Sequence, residues 1–225
     1  MQIDETQIDV WKIPLRPASG DLELLDSREI ERACRLKVDS KRDQFVAAQA
    51  ALRRILSSYL RQDAGTIKFL YGPNGKPELD ESPELGFNLT HSGSLALVAV
   101  GPHARIGVDI EYQMRDRPFV RLARRYFSEP EHRWLSGLPE SEQRRGFYRT
   151  WVLKEAYLKA VGVGLRFAPS RFQIDFENHE PTLVWTELAD DHPSHWRFAE
   201  LGIASEYRAA ICWEGNRRTV RVRTE

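Results

Sequence analysis

The residues best suited to chemistry lie in two short runs, Gly107-Val108-Asp109-Ile110-Glu111 and Trp151-Val152-Leu153-Lys154-Glu155-Ala156-Tyr157-Leu158-Lys159. The first has the alternation of a strand, in which successive side chains point to opposite faces. Val108 and Ile110 then enter a core, while Asp109 and Glu111 share the other face. Two neighbouring carboxylates repel unless water or a cation lies between them. They read either as a solvated strand face or as part of a cation site. The second run is apolar on almost every side from Phe147 to Val161, as a buried helix is. Charges on such a helix need partners. Glu155 and Lys159 are four apart and share a face. Either they pair internally, or Glu155 turns to a metal and Lys159 to a phosphate. In the second reading Asp109, Glu111 and Glu155 hold a hard divalent ion, Mg2+ or Mn2+ rather than zinc. Three carboxylates for a cation and a lysine for an anion are the equipment of phosphoryl-group transfer. The six histidines form no HxxxH pair, and His192-Pro193-Ser194-His195 reads as a loop.

Elements to position these residues can be read along the chain. Residues 8–13 alternate as an opening strand. Ser27 followed by Glu29 and Glu31 marks a helix start with a serine cap. Residues 41–61 carry Phe45, Ala48, Leu52, Ile55, Leu56 and Tyr59 at helical spacing. A strand is expected at 66–71, then a turn at Gly72-Pro73-Asn74-Gly75. Phe87-Asn88-Leu89 and residues 95–100 read as strands flanking Thr90-His91-Ser92-Gly93, and Gly101-Pro102 punctuates the middle of the chain. The same order then returns: a strand at 105–111, a helix capped by Ser128 with Pro130 in its first turn, and a long helix at 141–161. Strands are expected at 172–176, 182–186, 196–201 and 207–213. Ser27 lies 18 residues before Phe45, and Ser128 lies 19 before Phe147. This spacing predicts an α+β fold of two similar lobes related by a pseudo-twofold repeat, residues 1–103 and 104–225. Each lobe has helices packed on a small, mainly antiparallel sheet. The site motifs flank the division, so a cleft between lobes is the expected ligand site.

Bulk properties narrow the class. The 225 residues are 41% hydrophobic and 29% charged, with 33 basic and 33 acidic side chains. A neutral chain has no general field for nucleic acid, so an anion site must be local. No run approaches the roughly 18 apolar residues of a membrane span. Cys34 and Cys212 offer no CxxC motif, and read as two buried thiols in a reducing, cytoplasmic setting. Neither GxxxxGK[ST] nor GxGxxG occurs in the context of a nucleotide-binding loop. Arg115, Arg117, Arg121, Arg124 and Arg125 stand against Asp116 alone. Met114, Pro118, Phe119 and Val120 are interleaved with them. This basic, partly apolar segment reads either as a solvated helix face or as a docking surface for an acidic partner.

Taken together, these motifs resemble the 4'-phosphopantetheinyl transferases of the larger, two-lobed class, the type that activates surfactin synthetase. Gly107-Val108-Asp109-Ile110-Glu111 is similar to that family's first signature, and Trp151-x-x-Lys154-Glu155-Ala156-x-x-Lys159 to its second. Phe87-Asn88-Leu89-Thr90-His91-Ser92 resembles its Asn-x-Ser-His-Ser segment, and Gly75-Lys76-Pro77 its Gly-Lys-Pro turn. The resemblance runs from about residue 27 to 176. It implies transfer of the phosphopantetheine arm of coenzyme A to a serine of an acidic acyl or peptidyl carrier protein, releasing adenosine 3',5'-bisphosphate. It further implies that Asp109 and Glu155, with Glu111 less directly, hold Mg2+. Glu155 takes the serine proton, and Lys159 meets the pyrophosphate. Arg32, Lys76, Thr90 and His91 bind coenzyme A. Two lobes within one chain make a self-sufficient monomer the expected state. Thr90 keeps the hydroxyl of the family's serine. Gln44 and Gln49 stand where relatives often carry arginine, leaving Lys41, Arg42 or Arg53 to compensate. The rival readings are another Mg2+-dependent nucleotide phosphohydrolase and a carrier-binding relative without activity.

Overall fold

The computed structural model describes residues 4–102, 105–114, 116–176 and 180–224. Strand β1 (Gln7–Pro14) leads to α1 (Ser27–Arg35) and the long α2 (Asp39–Leu60). A short hairpin, β2 (Phe69–Tyr71) and β3 (Pro77–Leu79), precedes β4 (Leu85–Ser92) and β5 (Leu95–Pro102). The second half runs β6 (Ile106–Tyr112), α3 (Phe119–Tyr126), α4 (Glu129–Gly137), and the equally long α5 (Glu140–Val161). It continues with β7 (Phe172–Asp175), β8 (Thr182–Thr186), β9 (Trp196–Glu200), β10 (Tyr207–Glu214) and β11 (Thr219–Thr224). The α+β class expected from the sequence is observed.

The two halves use the same order. β1-β5-β4 in the first sheet matches β6-β10-β9 in the second, and each half adds a two-stranded hairpin. The division expected at 103/104 is crossed once. β11 returns from the C-terminal end and pairs in parallel with β1, Val10 opposite Val222, so residues 219–224 belong to the first sheet. Without β11, β1 would be an open sheet edge.

Alternation along the strands sorts the core into layers. Ile8, Val10, Leu97 and Ala99 face Val108, Ile110, Ala209 and Ile211 between the two sheets. On the outer face of the first sheet, Val98 and Val100 pack with Ala48, Leu52, Ile55 and Leu56 of α2. On the outer face of the second, Ala210, Cys212 and Phe198 pack with Val152, Ala156 and Tyr157 of α5. The order is helix, sheet, sheet, helix. α5 lies so close to β6 that a Cβ at Gly107 would collide with the Ala156 carbonyl oxygen and the Ala160 nitrogen. Backbone atoms cannot yield as a side chain can, so glycine is what permits this approach.

Several local expectations need correction. The cap of α1 is Asp26, not Ser27: its Oδ1 accepts from Glu29 N at 2.8 Å, while Glu29 Oε2 accepts from Asp26 N at 2.9 Å. The reciprocal pair satisfies two backbone donors at once. Residues 64–66 form a 3-10 turn, and the strand starts only at Phe69. Thr90, His91 and Ser92 lie within β4 rather than between strands, because pairing with β5 runs on to Ser92 opposite Leu95. Cys212 is buried, but Cys34 is exposed, since α1 buries only Glu29 and Ala33. No helix among the described residues is long and apolar enough to cross a membrane.

Candidate active site

One face of β4 is fastened to β6 by three side chains two residues apart. Asn88 Oδ1 accepts from Val108 N at 2.9 Å. Thr90 Oγ1 donates to Asp109 Oδ1 at 3.1 Å. Ser92 Oγ donates to Glu111 Oε2 at 3.0 Å and accepts from Tyr112 N at 3.1 Å. The period-two spacing of Asn88, Thr90 and Ser92 was visible in the sequence, but their fastening role was not read from it.

The other contribution comes from α5. Lys159 Nζ donates to Asp109 Oδ1 at 2.6 Å, to Thr90 Oγ1 at 2.8 Å and to Val108 O at 3.3 Å. Lys159 is therefore paired with the strand acid. Asp109 is buried, and its Oδ2 has no hydrogen-bond partner among the described residues. Burial pushes its carboxyl above the ordinary 3.8, against the pull of Lys159. Glu155 is pushed from 4.5 to about 7, first by loss of water and next by the charge of Asp109; Lys159 opposes this and Glu111 adds to it.

Asp109, Glu155 and Glu111 thus act on one another, but they do not stand as a finished metal cage. Among the described residues, no group of three or more His, Cys, Asp or Glu side chains is arranged to hold an ion. Lys159 pairs with Asp109 Oδ1, and the Ser92 hydroxyl donates to Glu111 Oε2. The donor set of Asp109 and Glu155 nonetheless suits a hard cation. It offers a buried, unpartnered carboxylate oxygen beside a second carboxylate whose ionisation it opposes.

Beside this cluster opens a cleft of about 790 Å³, lined by Arg28, Arg32, Tyr71, Thr90, His91 and Lys159 among others. The Arg28 guanidinium lies 3.7 Å above the Tyr71 ring. The cleft wall strips water from His91, and Lys159, Lys41 and Arg32 surround it with positive charge, so its pKa falls below 6.5. Of the expected ligand contacts, Arg32, Thr90, His91 and Lys159 reach this cleft. Lys76 does not. Its ammonium is turned away and donates to Ala160 O, at the C-terminal end of α5, at 2.8 Å and to Ile106 O, at the start of β6, at 3.1 Å. Burial lowers its pKa to about 8. Free carbonyls at a helix end attract a cation, and these acceptors are remote in sequence from the Gly-Lys-Pro turn.

The other basic candidates also sort themselves. Arg53 is fully buried and cannot compensate for Gln44 or Gln49. Arg42 pairs with Asp39 at 2.6 Å. Gln44 Nε2 donates to Gly93 O at 3.0 Å and holds the β4–β5 turn, while Gln49 lines the cleft. Lys154 is fully buried, its ammonium 2.8 Å from Glu131 Oε2 and donating to Pro169 O and Phe172 O. A second groove, lined by Arg117, Pro118, Phe119, Arg121 and Arg144, runs along α3. Arg124 and Arg125 are exposed on the same helix, and Arg115 lies outside the described residues.

Residues 105–212 match the model of the 4'-phosphopantetheinyl transferase superfamily. The chain is 40% identical over 216 residues to 4'-phosphopantetheinyl transferase HetI of Nostoc sp., covering 93% of this chain and 88% of that protein. It is 31% identical to 4'-phosphopantetheinyl transferase Sfp of Bacillus subtilis, covering 72% and 69%. It is also 31% identical to L-aminoadipate-semialdehyde dehydrogenase-phosphopantetheinyl transferase of Xenopus laevis, covering 74% and 60%. On sequence similarity along most of its length, the chain belongs to the 4'-phosphopantetheinyl transferase superfamily, in its larger, Sfp-like class.

Proposed function

We propose that the protein moves the phosphopantetheine arm of coenzyme A onto a serine of an acyl or peptidyl carrier protein. The observation that carries this reading is the Asp109–Thr90–Lys159 cluster, with Glu155 beside it, at the mouth of a cleft large enough for a nucleotide. Arg32, Thr90 and His91 bind the nucleotide end, and Lys159 neutralises charge on the pyrophosphate. Asp109 and Glu155 would hold Mg2+, which would supply further positive charge to the same oxygens; Glu111, tied to Ser92, has the weaker case.

In the reaction the serine oxygen bonds to the phosphorus that carries the pantetheine arm. The bond from that phosphorus to the bridging oxygen breaks, and adenosine 3',5'-bisphosphate leaves. The serine proton passes to Glu155, directly or through a water that it orients. With Mg2+ beside it, Glu155 would be held as a carboxylate, the form able to accept a proton. Little covalent chemistry is asked of the protein, and position and charge do the rest. The partner surface is the basic segment of α3, which suits an acidic carrier.

The test is intact-mass measurement of apo-carrier proteins incubated with coenzyme A, Mg2+ and the enzyme. The expected result is the mass gain of one phosphopantetheine, lost with a chelator and in Glu155→Gln. Release of product from coenzyme A without any carrier would instead favour a phosphohydrolase.

A further inference from the structure

Helix α1 supplies the basic wall of the cleft, yet it is barely packed. Of its nine residues only Glu29 and Ala33 are buried, while Arg28, Glu31, Arg32 and Arg35 line the cleft. A helix this short is marginal by itself in water. Its place must be fixed from outside, and the fixing group is Arg53 of α2. The Arg53 side chain is fully buried. Its Nε donates to Glu29 Oε2 at 2.8 Å and its Nη2 to Asp26 Oδ2 at 3.0 Å. Its Nη1 donates to Ile67 O at 2.9 Å and Ala64 O at 3.3 Å. One guanidinium thus joins the capping box of α1 to α2 and to the turn that leads into β2, the strand that carries Tyr71. Both aromatic and basic walls of the cleft hang from it.

The same device stands in the second half. α4 is buried only through Glu131 and Leu135, and Glu131 belongs to its capping box with Ser128. The buried cation there is Lys154 of α5. It meets Glu131 and two carbonyls three residues apart, Pro169 O and Phe172 O, as Arg53 meets Ala64 O and Ile67 O. A buried ion pair is a poor source of net stability, but removing one partner leaves an uncompensated buried charge.

We propose that Arg53 is a positioning residue for the ligand cleft: through Asp26 and Glu29 it holds α1 where Arg28 and Arg32 face Tyr71 and His91. This rests on the reading that the cleft takes the nucleotide of coenzyme A. Arg53 touches no ligand, so its loss should weaken binding and leave the chemical step alone. The experiment is calorimetric titration of adenosine 3',5'-bisphosphate into wild type, Arg53→Met, Arg53→Lys and Glu29→Gln, with kcat and KM for coenzyme A from the transfer assay. Arg53→Met should raise Kd and KM about tenfold, the order of one lost hydrogen bond between α1 and a charged ligand, with kcat at saturation kept. Arg53→Lys should fall between the two. If circular dichroism shows Arg53→Met unfolded, Glu29→Gln, which keeps an acceptor and the cap, should still weaken binding about threefold. A folded Arg53→Met or Glu29→Gln with wild-type Kd overturns the proposal, as does a fall in kcat alone. Wild type that fails to bind the bisphosphate overturns the nucleotide reading and this inference with it.

Discussion

Glu155 carries the largest consequence of a single side chain. Its carboxyl is held at about 7 in the folded chain against an ordinary 4.5. The folded state therefore keeps a proton that the unfolded chain gives up between those values. Stability from this group is complete below about pH 4.5 and is lost as pH rises through 7. Glu155→Gln, free of metal, should match wild type at about pH 4 and be more stable at pH 8 by up to about 3 kcal/mol. Chemical denaturation in a chelator at the two pH values reads this directly; equal stability at pH 8 would show that burial and Asp109 do not raise the Glu155 pKa. At this scale the sequence was informative where spacing alone places a group. Strand alternation put Asp109 opposite Val108, and the four-residue interval put Lys159 beside Glu155. It pointed Lys76 at coenzyme A and gave no sign of where the ammonium turns, since its acceptors lie 30 and 84 residues away. It also missed that Lys159 answers Asp109 rather than Glu155.

Among the elements, α5 and β6 decide the site, and Gly107 decides how closely they meet. Gly107→Ala forces a methyl into the α5 backbone. It should cost at least about 3 kcal/mol and move Glu155 and Lys159 off Asp109, so that activity falls even where the variant folds. A variant with wild-type stability and turnover would remove this account of the close approach. Helix α3 sets a different test. Arg117, Arg121 and Arg124 changed together to Glu should raise the carrier KM about tenfold and leave coenzyme A affinity unchanged. Unchanged carrier kinetics would reassign α3 to a merely solvated face. The long α2 and α5 were legible from their apolar spacing, which tertiary packing reinforces. The three-residue β3 was not, because so short a strand carries no period of its own.

For the whole molecule, the α+β class was legible in the sequence, and the structure arranges it as two sheets back to back, each covered by one 22-residue helix. β11 escaped notice because four of its six residues are Thr or Arg, and half-exposed Val220 and exposed Val222 give little signal. Its place is secured by a buried acid, Asp9, which lies 2.8 Å from Arg223 Nε and accepts from the Tyr59 hydroxyl at 2.6 Å. The twin clamps at Arg53 and Lys154 were equally hidden, since they join residues 24 and 23 apart by charges that the sequence shows only singly. All of this architecture brings Asp109 and Glu155 to one point beside the cleft. The most direct test of that point is paramagnetic titration of Mn2+ into wild type, Asp109→Asn and Glu155→Gln at pH 8 with coenzyme A present. The account predicts one tight site in wild type and its loss in each variant. Mn2+ bound with equal affinity by all three proteins would contradict it.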